Sequence, residues 1–141
     1  MELRGNYVKT SGRTRNLPQR KALVVDERPD GLEYYAAMLE AYGYQVRRCG
    51  ACCEGIRCLG DESFDFVIVS QGTSKFEGSC VLERAVEIDR SLPVFVVARR
   101  LDMGAYVEAM QLGATDYLVE PLTAWEVGRL LPPQPGLRAA A

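Results

Sequence analysis

The sequence predicts one α/β domain built on a doubly wound, five-stranded parallel sheet. Five short apolar runs alternate with five stretches of helical periodicity. Strands that alternate with helices pair in parallel, with right-handed crossovers that place helices on both faces of the sheet. The length of 141 residues suits a single domain, and the apolar fraction of 48% is sufficient for a buried core.

The predicted strands are runs rich in β-branched and aromatic residues. The runs 64–69 (FDFVIV) and 93–98 (PVFVVA) have almost no polar break, which is typical of strands buried on both faces of a parallel sheet. The run 44–48 contains polar residues and therefore suits a sheet edge. In order, the predicted strands are residues 22–25, 44–48, 64–69, 93–98 and 115–119.

The predicted helices carry apolar residues at spacings of three and four. Asp30 and Asp102 are predicted N-caps, and Thr123 starts the last helix. Gly43 and Gly113 are placed to end the first and fourth helices. In order, the predicted helices are residues 30–43, 52–60, 78–90, 103–112 and 123–131.

Charge divides the chain into a basic leader and an acidic domain. Residues 1–21 carry a net charge of +5, and residues 22–141 carry a net charge of -7. We predict a disordered basic arm over residues 1–20, a folded domain over residues 21–131 and a flexible tail or linker start over residues 132–141. The arm lacks the interleaved aromatic residues and the charge density of a nucleic-acid-binding patch, so direct nucleic-acid binding is not expected.

Two absences narrow the classes of function. The chain contains no histidine, which excludes histidine-based acid–base catalysis, histidine-rich metal sites and a histidine phosphotransfer role for this chain. No apolar run approaches the roughly 18 residues of a membrane span, and the N-terminus lacks the apolar region of a signal peptide. We therefore expect a cytoplasmic protein that does not bind membranes.

Functional residues are expected where the predicted strands end. Asp26 and Glu27 follow the first strand, Ser70 follows the third, Ala98 closes the fourth and Glu120 follows the fifth. The carboxyl ends of parallel strands meet at one edge of the sheet, beside the crevice in which ligands bind. These positions should therefore lie close together.

Four segments of the chain are more specific than the fold class. The segment 113–122 is the most specific of the four, because its glycine, its aspartate–tyrosine pair and its proline all match the pattern of one protein family. The segments are LVVDE at 23–27, FDFVIVS at 64–70 with Gly78 eight residues later, PVFVVA at 93–98 and GATDYLVEPL at 113–122.

These segments resemble the receiver domain of bacterial two-component response regulators. The resemblance covers about residues 21–131 and implies a flavodoxin-like (βα)5 fold with strand order 2-1-3-4-5. It implies chemistry in which an aspartate ending the third strand accepts a phosphoryl group, assisted by a carboxylate-bound divalent cation, a lysine and a hydroxyl. Tyr117 matches the switch aromatic residue whose rotamer follows phosphorylation. Glu120–Pro121 matches a bond that is cis in receivers, so a cis peptide is predicted there.

The chain departs from the receiver pattern at three positions. Ser70 stands where the phospho-acceptor aspartate belongs, Ala98 replaces the hydroxyl and Glu120 replaces the lysine. A serine hydroxyl is not activated without a neighbouring base. At an effective dielectric of about 20, like charges about 4 Å apart repel by roughly 4 kcal/mol, so the third replacement opposes phosphate binding. Only Asp26 and Glu27 match the family's acidic pair, and we predict no aspartyl-phosphate chemistry.

The acidic residues at the strand ends allow two interpretations. Asp26, Glu27 and Glu120 could together hold Mg²⁺ or Ca²⁺ without any phosphorylation. Alternatively, one of three nearby arginines neutralises the cluster by pairing, which is the interpretation we favour. On that interpretation the chain holds no metal and no cofactor. The three arginines are Arg28, Arg99 and Arg100.

The predicted function is that of a pseudo-receiver, a phosphorylation-independent signalling module of two-component type and not an enzyme. Its partner would be a sensor kinase, an effector or a second copy of the chain, bound on the face of the fourth helix, fifth strand and fifth helix. Two alternatives remain: a conventional phosphorylated or cation-binding receiver, and a small-ligand binder that uses the strand-end crevice. The candidate contacts are Met103, Tyr106, Val107, Met110, Tyr117 and Trp125.

Four of the five cysteines fall within ten residues. Zinc sites with four thiolates usually bring two CxxC pairs from separate turns onto one ion, whereas Cys52 and Cys58 are expected on opposite sides of one helix. We therefore interpret the cysteines as small apolar fillers and surface thiols. A Cys49–Cys52 redox pair is the alternative. The cluster also contains Cys53, and Cys80 lies apart from it.

Overall fold

The computed structural model describes residues 19–133 and contains all ten predicted elements, with ends that differ from the predictions by two residues at most. The predicted arm (1–20) and tail (132–141) lie almost entirely outside the described residues. Gln19, near the end of the predicted arm, already contacts the domain, because its side-chain amide donates a hydrogen bond of 3.1 Å to the carbonyl of Gly43.

The five strands are β1 (Lys21–Val25), β2 (Gln45–Cys49), β3 (Phe66–Ser70), β4 (Val94–Ala98) and β5 (Asp116–Val119). All neighbouring strands pair in parallel, in the order β2-β1-β3-β4-β5, which confirms the predicted sheet. β2 lies at an edge, and its alternately exposed residues explain the polar residues in its sequence.

The five helices are α1 (Pro29–Ala41), α2 (Cys52–Asp61), α3 (Ser79–Ile88), α4 (Met103–Leu112) and α5 (Ala124–Leu130). Buried side chains of α2, α3 and α4 pack on one face of the sheet, and those of α1 and α5 pack on the other. Among the described residues, no helix is both long enough and apolar enough to span a bilayer.

The interior strands are apolar throughout because helices cover both of their faces. Along β1, Leu23 and Val25 belong to the cluster beneath α2, α3 and α4, whereas Ala22 and Val24 belong to the cluster beneath α1 and α5. Successive side chains of a strand point to opposite faces, so an uninterrupted apolar run is what a strand covered on both sides requires.

The helix ends follow the sequence signals with one exception. Asp102 accepts a hydrogen bond of 3.1 Å from a backbone amide in the first turn of α4, and Gly113 ends that helix at a φ of 106°. The predicted N-cap at Asp30 is wrong, because α1 already begins at Pro29 and Arg28 occupies the N-cap position. A proline has the φ of the first helical residue and no amide hydrogen that would need a partner there.

The start of α3 lies so close to the end of β3 that there is no room for a Cβ atom at residue 78. Gly78 is the N-cap of α3, and a Cβ atom on it would lie 2.1 Å from the carbonyl oxygen of Ser70 and 3.0 Å from Cγ2 of Val69. Glycine is therefore required here by the close approach of two backbones. The approach folds the loop after β3 back over the strand end.

We expect Gly78→Ala to destabilise the domain by about 1–3 kcal/mol, because the added methyl group must push α3 away from β3. Gly60→Ala is the matched control: the Cβ would lie 3.8 Å from its nearest neighbour on the exposed side of α2. Alanine there should stabilise the helix by about 0.5–1 kcal/mol. Urea unfolding measures both changes, and equal stability of the two variants would contradict the packing described.

Candidate functional site

The sheet brings the five predicted strand-end positions to one edge. Asp26 and Glu27 directly follow β1, Ser70 and Ala98 are the last residues of β3 and β4, and Glu120 directly follows β5. The backbone amide of Glu120 donates a hydrogen bond of 2.8 Å to the carbonyl of Ala98, which fixes the last two positions side by side. Asp26 is buried and Glu27 is exposed, so the two neighbouring carboxylates differ in environment.

Arg28 bridges two of the three acidic residues. Its Nη2 atom lies 3.2 Å from both carboxylate oxygens of Glu120 and 3.6 Å from Oδ2 of Asp26. Burial lowers the pKa of Arg28, but the two carboxylates more than offset this effect, so that the pKa is raised and the positive charge is secure. The other two candidate arginines, Arg99 and Arg100, are exposed in the loop before α4. The geometry thus fits the pairing interpretation.

Tyr35, which was predicted only as a core residue, completes this network through its hydroxyl. The hydroxyl of Tyr35, on the buried face of α1, donates a hydrogen bond of 2.6 Å to Oε2 of Glu120. Burial and the hydrogen bond to the carboxylate raise the pKa of Tyr35, so its hydroxyl remains a donor at neutral pH. Helical periodicity placed Tyr35 in the core, but no signal in the sequence gave the direction of its hydroxyl.

Glu120 is followed by a cis peptide bond to Pro121, the isomer expected from the sequence. The next segment is tied to α1, because the Tyr34 hydroxyl donates a hydrogen bond of 2.5 Å to the carbonyl of Leu122. The loop after β5 is therefore held against the amino-terminal half of α1.

Asp26 is the most deeply buried charged residue of the described chain, with only 1% of its surface exposed. Its Oδ1 accepts a hydrogen bond of 2.9 Å from the backbone amide of Arg28, whereas Oδ2 has no hydrogen-bond partner within residues 19–133. Burial raises the pKa of Asp26, and the amide and charge of Arg28 only partly offset this effect. The ionised carboxylate therefore costs stability in the folded state at neutral pH.

The arrangement does not fit the divalent cation that the receiver resemblance implies. Such an ion needs several hard oxygen ligands around an open position. Here the guanidinium of Arg28 lies against both Asp26 and Glu120, and a serine ends β3. Within the part of the chain that the structure describes, no three carboxylate or cysteine side chains are placed to hold a metal. This geometry disagrees with the alternative in which Glu27 and its two acidic neighbours bind Mg²⁺ or Ca²⁺.

The hydroxyl of Ser70 is used in the turn that follows β3. Its Oγ accepts a hydrogen bond of 3.1 Å from the amide of Gly72, whose φ of 85° favours glycine. One residue later, the amide and the hydroxyl of Thr73 each donate a hydrogen bond of 2.7 Å to the carboxylate of Glu77. These contacts hold the loop closed over the end of β3.

The side chain of Tyr117 points into the domain and is 6% exposed. Its hydroxyl donates a hydrogen bond of 2.5 Å to Oε1 of Gln71 and accepts one of 3.2 Å from the amide of Asp102. The buried Gln71 was not predicted to have a role, since it follows β3 in a stretch that reads as a polar loop. Ala98 lies in the same buried cluster as Tyr117, and its methyl group takes less space there than a threonine would.

The face of α4, β5 and α5 exposes a group of large apolar side chains, of which Trp125 is the most exposed at 67%. Tyr117 is not one of them, so its prediction as a surface contact is wrong: its hydroxyl has partners inside the domain. Leu101 and Val119 were not predicted and are exposed at the margins of this face. The predicted contacts that are exposed are Met103, Tyr106, Val107, Met110 and Trp125.

A groove of about 660 Å³ lies beside this edge of the sheet, between the loops that follow β3 and β4. Residues 71–74 form one wall, and residues 98–102, which include Arg99 and Arg100, form the other. This is the space in which the predicted small-ligand alternative would place its ligand.

The cysteine in contact with Cys49 is not the one named in the alternative Cys49–Cys52 pair. Sγ of Cys49, at the end of β2, lies 3.6 Å from Sγ of Cys58, in the carboxyl-terminal half of α2. Cys52 instead faces α3, where it and Cys80 both donate to the carbonyl of Glu77, at 3.5 and 3.1 Å. All five cysteines are free thiols.

We expect Asp26→Asn to raise the melting temperature at pH 7 by a few degrees, because it removes a buried carboxylate whose ionisation is unfavourable. The folded-state pKa of Asp26 lies above its ordinary value of 3.8. As the pH falls through the folded-state pKa, Asp26 becomes protonated and the difference in stability between Asp26→Asn and the wild type decreases. The difference vanishes below the ordinary pKa of 3.8. Thermal unfolding from pH 7 to pH 3.5 measures this.

Glu27→Gln serves as the control for this substitution, since it neutralises the adjacent but exposed carboxylate and should change the melting temperature little at any pH. A lower melting temperature of Asp26→Asn at pH 7, or an advantage that does not depend on pH, would contradict the description of Asp26.

Comparison with known proteins identifies relatives over most of the described chain. A two-component response regulator of Arabidopsis thaliana, ARR11, is 30% identical over 109 residues, which are 76% of this chain and 21% of that protein. The transcriptional regulatory protein ZraR of Escherichia coli K12 is 26% identical over 100 residues, which are 71% of this chain and 23% of that protein. The chain thus spans about a fifth of the length of these relatives.

Solved structures show the same fold. A CheY-like response regulator receiver domain protein from Methanospirillum hungatei superimposes with a TM-score of 0.73 at 21% identity, over 79% of this chain and 90% of that one. The family described as "Response regulator receiver domain" matches residues 22–129. This span covers all five strands and all five helices, apart from the first residue of β1 and the last residue of α5. The chain therefore belongs to the response regulator receiver domain family of two-component signalling.

Proposed function

We propose that this chain is a pseudo-receiver, a phosphorylation-independent signalling module that acts by binding a protein partner and not as an enzyme. The observation that supports this most directly is the network at the carboxyl edge, in which Arg28 joins Asp26 to Glu120 beside a serine at the end of β3. Phosphoryl transfer to a receiver needs a carboxylate nucleophile, a bound cation and positive charge for the phosphoryl oxygens.

The nucleophile is the first of these requirements that the site does not meet. The Ser70 hydroxyl is a weak nucleophile unless a neighbouring base removes its proton, and the chain has no histidine to do so. Its Oγ already accepts a hydrogen bond from Gly72.

Charge at the site is the second requirement that is not met. Glu120 is a carboxylate at the position where the resemblance implies a lysine for the phosphoryl oxygens, and the guanidinium that contacts it, that of Arg28, is already shared with Asp26. Ala98 offers no hydroxyl to the same oxygens. A phosphoryl group would therefore add negative charge beside two carboxylates that already share the guanidinium of Arg28.

The position of Tyr117 supports an output that needs no phosphorylation. Its hydroxyl is held inside the domain by Gln71 and by the amide of Asp102, two groups that are present whether or not the site is modified. The inward rotamer thus depends on contacts within the chain. On this proposal the conformation of the loop before α4 is fixed permanently.

The face of α4, β5 and α5 is the proposed surface for the partner, which would be a sensor kinase, an effector or a second copy of the chain in the cytoplasm. Trp125 and Met103 are 67% and 59% exposed there, and burying such side chains contributes favourable free energy to association. Homodimerisation through this face is the first form of output to test, by sedimentation velocity.

Incubation with acetyl phosphate and magnesium should leave the intact mass of the chain unchanged, whereas a conventional receiver treated in parallel gains one phosphoryl group. Ser70→Asp should also remain unmodified, because Ala98 and Glu120 still fail to bind the phosphoryl oxygens. Circular dichroism checks that the variant is folded. A phosphoryl adduct on the wild type, or on Ser70→Asp alone, would overturn the proposal.

A further inference from the structure

The thiols of Cys49 and Cys58 lie in contact on the side of the sheet away from the acidic network. Cys49 is the last residue of β2, and Cys58 lies on α2, the helix that crosses back over β1 and β2. Their sulfur atoms are 3.6 Å apart, and both thiols are free. The helix can lie this close because Gly55 faces β1: a Cβ atom there would be 2.8 Å from Cγ2 of Val25.

The contact needs little movement to become a bond. Sulfur atoms in a disulfide are about 2.05 Å apart, so rotation of two short side chains has to close a gap of roughly 1.5 Å. Cys49 is 2% exposed and Cys58 is half-buried, so Cys58 is the more accessible residue of the pair. Arg47, which is ion-paired with Glu62, contributes positive charge near both sulfurs.

We propose that Cys49 and Cys58 form a reversible disulfide when the protein meets a peroxide. A peroxide oxidises the more exposed thiol, Cys58, to a sulfenic acid and is itself reduced, which releases water when the peroxide is hydrogen peroxide. The Cys49 sulfur then attacks the sulfenic sulfur, the S–S bond forms, and the hydroxyl leaves as water with the proton of the Cys49 thiol. A dithiol reductant returns both thiols by exchange.

The order of these steps follows from the two environments. Burial, and then the neighbouring Cys58 thiol, raise the pKa of Cys49 to about 12, so this sulfur is almost entirely protonated at neutral pH and reacts slowly with solvent oxidants. Cys49 is therefore the resolving thiol, protected until its neighbour has been oxidised. Its proximity compensates for its low acidity, since the attack occurs within the molecule.

The bond would connect to the carboxyl edge of the sheet through one hydrogen bond. The carbonyl of Cys49 accepts a hydrogen bond of 3.1 Å from the amide of Asp26. A covalent link from β2 to the middle of α2 would thus fasten the helix beside the residue that pairs with Arg28. The proximity of the two thiols carries this inference, which does not depend on the proposed function.

The test is peptide mapping after brief treatment of the full chain with hydrogen peroxide, followed by alkylation of the remaining thiols. Trypsin cleaves after Arg48, Arg57 and Lys75, which separates the two sulfurs into peptides 49–57 and 58–75. We expect these peptides to be joined, with the loss of two hydrogen atoms, and to separate after reduction. Fragmentation of the joined species assigns the first sulfur to Cys49 and not to its two neighbours in that peptide.

Two variants make the result specific. Cys58→Ser should abolish the joined peptides, and Cys53→Ser, which removes an exposed thiol from the same helix, should leave them unchanged. Absence of the joined peptides from oxidised wild type, or a link through Cys52 or Cys53 in place of Cys49, would each overturn the proposal. The wild-type map decides the question even if a variant fails to fold.

Discussion

A guanidinium held between two carboxylates organises the carboxyl edge of this sheet. Asp26 is buried too deeply to remain charged without a partner, and Arg28 supplies that partner from two residues away, through both its backbone amide and its side chain. The same guanidinium reaches Glu120, beyond the fifth strand, where Tyr35 contributes a hydrogen bond from the first helix. Arg28 therefore joins the ends of β1 and β5, and Tyr35 joins α1 to the same carboxylate.

On the proposed function, this constraint gives Ser70, Ala98 and Glu120 a common physical basis. Glu120 adds a second carboxylate to the edge, and Arg28 provides the cation that it needs. A third carboxylate at the end of β3 would add charge that one arginine cannot balance, and Ser70 avoids it. Ala98 leaves space in the cluster that contains Tyr117, whose hydroxyl is satisfied by Gln71. On the proposed function, the edge has become a structural element and the output surface remains exposed.

The sequence predicted the parallel sheet and the convergence of its strand ends because burial on both faces imposes long apolar runs on the strands. The strand order followed from the resemblance to receiver domains. It did not identify which arginine pairs with the acids, since three lie close to the strand ends. That choice depends on the turn set by Pro29, which makes Arg28 the N-cap of α1. The partner of Cys49 was missed for a similar reason: it depends on how α2 crosses the sheet, and helical periodicity does not give that angle.

On the proposed function, the guanidinium of Arg28 occupies the place where a conventional receiver would assemble magnesium and phosphate. The most direct measurement is a titration of the ¹⁵N-labelled chain with magnesium, and then with beryllofluoride, followed by amide resonances next to the site. We expect the amide resonances of Glu27, Gly72 and Tyr117 to keep their positions through both additions, apart from the uniform drift caused by ionic strength. Saturable shifts at these amides on adding magnesium, enlarged by beryllofluoride, would contradict this expectation.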